Sequence, residues 1–92
     1  MNSEQLIDDN RRTLEALIPM LDALIRIPPA RFRAAMFKGT LLSVEVLKHA
    51  LQNNTAQARF YDEIGQPDMS QLCRTVVAHC TQLLAIVEGG IH

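Results

Sequence analysis

The sequence predicts an all-α fold, a small antiparallel helical bundle of three long helices plus one short, and three observations carry that expectation. Apolar residues recur at intervals of three, four and seven along most of the chain, the period of one helix face. Four Gly and four Pro in 92 residues are too few for the many tight turns of an all-β domain. Of all residues 48% are hydrophobic but only 4% aromatic, so the core is aliphatic, built of side chains that pack well between helices. A chain of this length forms one domain, residues 1–92, and leaves roughly a third or more of its unfolded surface exposed.

The first helix is expected to begin at Ser3, a good N-cap residue, with Glu4 in the first turn where the helix dipole favours an anion. Ile7, Leu14, Leu17, Ile18, Leu21, Leu24 and Ile25 form its buried stripe. Asp8 and Arg12 stand at i,i+4 on the solvated side, suited to an ion pair worth about 0.2–0.5 kcal/mol. The neighbours Asp8 and Asp9 point about 100° apart, which argues against a metal or acid–base pair. Pro19 removes a backbone hydrogen bond, yet the periodicity runs on from Leu17 through Ile25, so one kinked helix is expected rather than two. Pro28-Pro29 ends it, because the residue before a proline is pushed out of the α region.

The stretch from Pro29 to Leu51 is expected to organise the rest, as a helix running to about Gln52 with apolar residues on two faces. One face is Phe37, Leu41, Val44, Leu47 and Leu51, and the other is Phe32, Met36, Leu42 and Val46. Ala35, Gly39 and Ser43 run beside the second face as a row of small side chains that lets another helix approach closely. These seven residues, Phe32, Ala35, Met36, Gly39, Leu42, Ser43 and Val46, are the candidate partner or dimer interface. A helix apolar on two sides needs neighbours on two sides, and a short chain supplies few.

Residues 55–64 read as a short helix with Ala56, Phe60 and Ile64 inward and Gly65 as its stop; the alternative is an extension of the preceding helix through Asn53-Asn54. Pro67 forces an end, and Asp68 with Gln71 three residues on is close to a capping box. The last helix carries the cleanest stripe: Met69, Leu72, Cys73, Val76, Cys80, Leu83, Leu84 and Val87, closed by Gly89-Gly90.

Net charge is −1, so no global field draws the chain to nucleic acid or an anionic membrane. No basic start precedes an apolar leader, and no run approaches the roughly 18 apolar residues that span a bilayer, so a cytoplasmic protein is expected. Cys73 and Cys80 share one helix face about 10 Å apart, beyond the roughly 7 Å a disulfide tolerates, and read as core thiols. No zinc-ligand spacing is present, and neither a metal nor a cofactor is expected. No phosphate loop or Ser/His/Asp set can be assembled, and the inward positions are almost wholly aliphatic. These features point away from an enzyme.

Arg26, Arg31, Arg33 and Lys38 gather around the Pro28-Pro29 corner, either as a solvated corner or as the contact for an anionic partner. A nucleic-acid-binding dimer using this corner is the alternative function. Against it, the candidate recognition helix is apolar on two sides instead of carrying base-reading polar side chains. The run AAMFKGTLLS, residues 34–43, resembles the phosphoacceptor helix of histidine phosphotransfer domains, which are four-helix bundles of similar size. Phe37, Lys38 and Gly39 match that motif, but Ala35 occupies the histidine position. The resemblance therefore implies a relative without the phosphoacceptor that still binds a receiver-type partner. The function expected from the sequence is a non-catalytic protein–protein interaction module, a small regulator or adaptor of the inhibitor or antiactivator type, binding through a helix face and associating as a homodimer.

Overall fold

The computed structural model describes residues 2–32 and 44–89. Among them are three long helices packed together, α1 (Ser3–Arg26), α2 (Val44–Glu63) and α3 (Pro67–Gly89), with a short helical stretch at residues 29–32 and no strand.

α1 is capped one residue earlier than expected. Asn2 takes the cap position in extended backbone, and its Oδ1 accepts the Gln5 N–H at 2.8 Å, while Ser3 is the first helical residue. The helix runs through Pro19 without ending. Asp8 and Arg12 pair at 3.2 Å on the solvated side, and Asp22 and Arg26 repeat that spacing at 3.0 Å. Ile27, extended ahead of Pro28, closes it.

α2 takes the alternative of one continuous helix, because Asn53-Asn54-Thr55 does not stop it. Asn54 Nδ2 donates to the Ala50 carbonyl at 2.9 Å and Thr55 Oγ1 to the Leu51 carbonyl at 2.7 Å. Both polar side chains bond back into their own helix instead of capping a new one. The register running from Val44 therefore carries through: Leu47, Asn54, Ala58 and Tyr61 turn inward. Ala56, Phe60 and Ile64, expected inward, turn outward. At the end of α2 Gly65 adopts φ +75°, Gln66 N–H bonds the Tyr61 carbonyl at 2.8 Å and Gly65 N–H the Asp62 carbonyl at 3.3 Å. This is a Schellman stop, available to glycine because it has no Cβ to clash.

Pro67 begins α3 rather than ending the preceding segment, where its missing N–H costs nothing. Asp68, expected as a cap, instead pairs with Arg11 of α1 at 2.6 Å. Among the described residues α3 packs against both α1 and α2, while those two make few close approaches to each other; most of the stretch 29–51 expected to organise the chain lies outside the described residues. The buried line of α3, Met69, Cys73, Val76, Cys80, Leu83 and Val87, alternates steps of four and three, the spacing of a helix seam. Arg11–Asp68 and Asp22–His79 join α1 and α3 at one constant offset of 57 residues, so these helices run parallel. α2 runs antiparallel to both. Phe32, 0% exposed, belongs to the same core as Leu14, Leu21, Leu47 and Leu83.

Candidate functional site

Two helices packed on a third leave an outer valley between them. On α1 the residues at Leu6, Asn10, Thr13, Leu17, Met20 and Leu24 repeat the four-three spacing beside the buried stripe. On α2 and the residue that follows it, Val46, Ala50, Asn53, Gln57, Phe60 and Ile64 do the same. The large apolar side chains exposed among the described residues are Leu6, Met20, Val46, Phe60 and Ile64, at 44% to 64%, and every one lies on these two outer seams. Isolated apolar side chains on a surface are ordinary; these five are aligned on two seams instead of scattered.

The valley deepens at the end where α1 begins and α2 finishes. Ser3, Leu6 and Ile7 from α1 and Phe60, Tyr61 and Ile64 from α2 line a cleft of about 420 Å³. The Phe60 and Tyr61 rings stand edge to face, 5.5 Å apart at 62°. One turn further along α1, Asn10 Nδ2 donates to the Tyr61 hydroxyl at 2.7 Å and to Gln57 Oε1 at 3.1 Å. The Cys73 thiol of α3 lies 3.9 Å from the same Gln57 oxygen. This polar node ties the three helices together beside the cleft and gives the buried Tyr61 hydroxyl its partner.

Charge at this end is uneven. Glu4 and Asp9 on α1 and Glu63 on α2 are exposed and take part in no ion pair among the described residues. Three of the nearby bases are already committed, Arg11 to Asp68, Arg12 to Asp8 and Arg74 to Asp62, whereas Arg59, four residues before Glu63 on α2, is in no ion pair among the described residues. Asp62 is held below the usual carboxylate range, first by the Ser70 hydroxyl and then by the Arg74 guanidinium. Arg74 Nε also donates to Ser70 Oγ at 3.1 Å, so Ser70, Arg74 and Asp62 clamp α2 to α3.

A second cleft, about 270 Å³, lies on the other flank of α2 between Thr55, Ala58, Arg59, Arg74 and Val77. Its Arg74 is the base already held by Asp62, which leaves Arg59 as its one unpaired charge among the described residues.

The residues singled out from sequence are dispersed by the fold. Phe32 is a core residue, not an interface residue, because the chain leaving α1 turns its ring into the bundle. Val46 is half-exposed on the outer seam of α2, whereas Val44, Leu47 and Leu51 of the other expected face pack on the core. Ala35, Met36, Gly39, Leu42 and Ser43, together with Arg33, Lys38 and the phosphotransfer-like run, lie outside the described residues. Arg26 and Arg31 are exposed, and Arg26 is paired with Asp22. Cys73 and Cys80 are buried free thiols, and burial pushes both thiols up from their ordinary value. The ring of His79 donates from Nδ1 to the Thr75 carbonyl at 2.9 Å and sets Nε2 3.9 Å from Asp22. No group of three or more His, Cys, Asp or Glu side chains among the described residues is placed to hold a metal ion. No described helix is long and apolar enough to cross a membrane.

The Leu6–Phe60–Ile64 cleft was missed in the sequence. Its signal, a second four-three spacing in residues 6–24 and 46–64, is interrupted there by Asn10, Thr13, Asn53 and Gln57. Compared with models of protein families, with curated proteins and with solved structures, the chain matches none.

Proposed function

We propose that this protein is a non-catalytic interaction module, a small regulator or adaptor, that binds an apolar helix of a partner in the cleft between α1 and α2. The observation that supports this reading is the alignment of Leu6, Phe60 and Ile64 around one cleft on two outer seams. An amphipathic helix laid into an apolar groove uses anchors at i, i+3 or i+4, and i+7, and the span from Ser3 to Asn10 covers about 10 Å, the length of those seven residues. The reading moves the binding face from residues 32–46 to the α1–α2 valley, with Val46 common to both.

The test is a double substitution, Phe60→Asp with Ile64→Asp, on a surface whose residues contribute little to the core. The variant is expected to keep the helical circular dichroism signal and the melting temperature. Its affinity for any partner that the unaltered protein captures from extracts of its own cells falls at least about tenfold, equivalent to about 1.4 kcal/mol, by titration calorimetry. Undiminished affinity would place the interface elsewhere on the bundle.

A further inference from the structure

The valley between α1 and α2 has a middle as well as a cleft end, and the middle is free of carboxylates, lysines and arginines. Between Asn10 and Leu24 on α1 and between Val46 and Phe60 on α2, the outer seams are bordered by exposed Ala16, Ala23, His49 and Ala56. The charged residues of both segments are turned elsewhere. Arg11 and Asp22 reach Asp68 and His79 of α3, and Glu15, four residues after the first and seven before the second, stands on their side. Arg12 is turned to Asp8. Arg59 lines the second cleft with Thr55, and Lys48, seven residues before Thr55, shares that flank. Asp9, Glu45 and Glu63 stand at the two ends, which leaves His49 as the one ionisable side chain on the middle face among the described residues.

We propose that a second copy of this chain docks on this middle face, as a reversible two-fold dimer whose interface lies beside the cleft and does not depend on it. In a two-fold interface one patch faces its own image, so a charge within it that lacks a counter-charge is brought toward its own kind. A patch cleared of such charges on both helices meets that requirement, which a partner of different sequence does not impose. The polar groups that remain suit the same symmetry, because the amides of Asn53 and Gln57 each carry a donor and an acceptor and can bond an identical amide. The two stretches also coincide in space. α1 and α2 run antiparallel with Asn10 bonded to Gln57 and Tyr61, so Leu24, fourteen residues on, is level with about Val46. The patch is therefore about 21 Å long and about 20 Å, two helices, wide. With the ridges of its side chains, two copies bury about 1,000 Å² in all, the small end of specific interfaces and the size of reversible ones. Met20, 64% exposed in the single chain, lies on this patch and outside the cleft.

The experiment is light scattering after gel filtration of the full chain, with reductant, over a wide range of concentration. The mass is expected to rise from one chain toward two, and the dimer does not weaken as salt is added, because no ion pair holds it. Met20→Asp and, separately, Ala16→Lys bury a charge at the interface and raise the dissociation constant at least about tenfold, with the helical circular dichroism signal unchanged. Ile64→Asp, in the cleft and outside the patch, leaves the dimer intact. A mass of one chain at every concentration, or a dimer that Met20→Asp and Ala16→Lys leave intact, overturns the inference and leaves the cleft reading untouched. A dimer that Ile64→Asp dissolves and Met20→Asp does not puts the second copy in the cleft, which also overturns it. So does a dimer that falls apart steeply with salt, since its contacts are ionic.

Discussion

The inner and outer seams of α2 are written with the same spacing and meet opposite fates. Leu47, Asn54, Ala58 and Tyr61 are buried against α3; Val46, Phe60 and Ile64, one to three positions away on the same helix, stand about half in water. The inner seam includes one amide, Asn54, whose Oδ1 has no hydrogen-bond partner among the described residues, and the outer seam includes two, Asn53 and Gln57, beside a Phe and an Ile. Both stripes mix large apolar side chains with amides, so burial follows which helix lies opposite.

Four changes break or sharpen that contrast. The largest effect belongs to the inner side: Leu83→Ala, at a fully buried position on α3, is expected to cost about 2–5 kcal/mol in urea unfolding. Leu6→Ala, at a mostly exposed position on the outer seam, should stay within about 0.5 kcal/mol. Similar costs for the two would mean that the outer seam is closed in solution. Next, Asn54→Leu removes a buried unpaired oxygen from the inner seam and is expected to raise stability by about 1 kcal/mol. A fall in the melting temperature would show that this oxygen has a partner that the amide is needed to hold.

The smallest effect tests the Ser70–Arg74–Asp62 clamp that fixes α2 on α3 and so sets which seam faces out. Asp62 has its pKa lowered in the folded protein, so the charged form is favoured by folding. Its contribution is fully present above the unfolded value of 3.8 and is lost as pH falls through the lower folded value. Asp62→Asn should melt slightly below the unaltered protein at neutral pH, and the two curves should converge once the pH has fallen below the folded value. A gap that persists in acid would mean that the carboxylate charge is not what the clamp uses.

Much of the fold was legible in the residues themselves. The stripe of α3 from Met69 to Val87, the Asp8–Arg12 pair, the stop at Gly65 and the burial of Cys73 and Cys80 all follow from local spacing and local chemistry. The site was not legible, for a reason visible at Asn53-Asn54-Thr55. These residues are good caps and equally able to bond back to a carbonyl four residues earlier, and reading them as a stop rotated Ala56, Phe60 and Ile64 inward. One wrong boundary turned the outer seam into a core stripe.

Composition and periodicity by themselves determined that this chain is helical, that its core is aliphatic, and that one long segment carries apolar residues on more than one side. Those properties depend on each residue and its neighbours within a turn or two. Only the tertiary structure decided that α3 packs against both other long helices, that Phe32 is a core residue, and that Leu6, Phe60 and Ile64 meet around one cleft. These outcomes join residues more than fifty positions apart in sequence, as the bonds from Asn10 to Tyr61 and from Arg11 to Asp68 do, and the spacing of a stripe carries no information about which distant stripe will cover it.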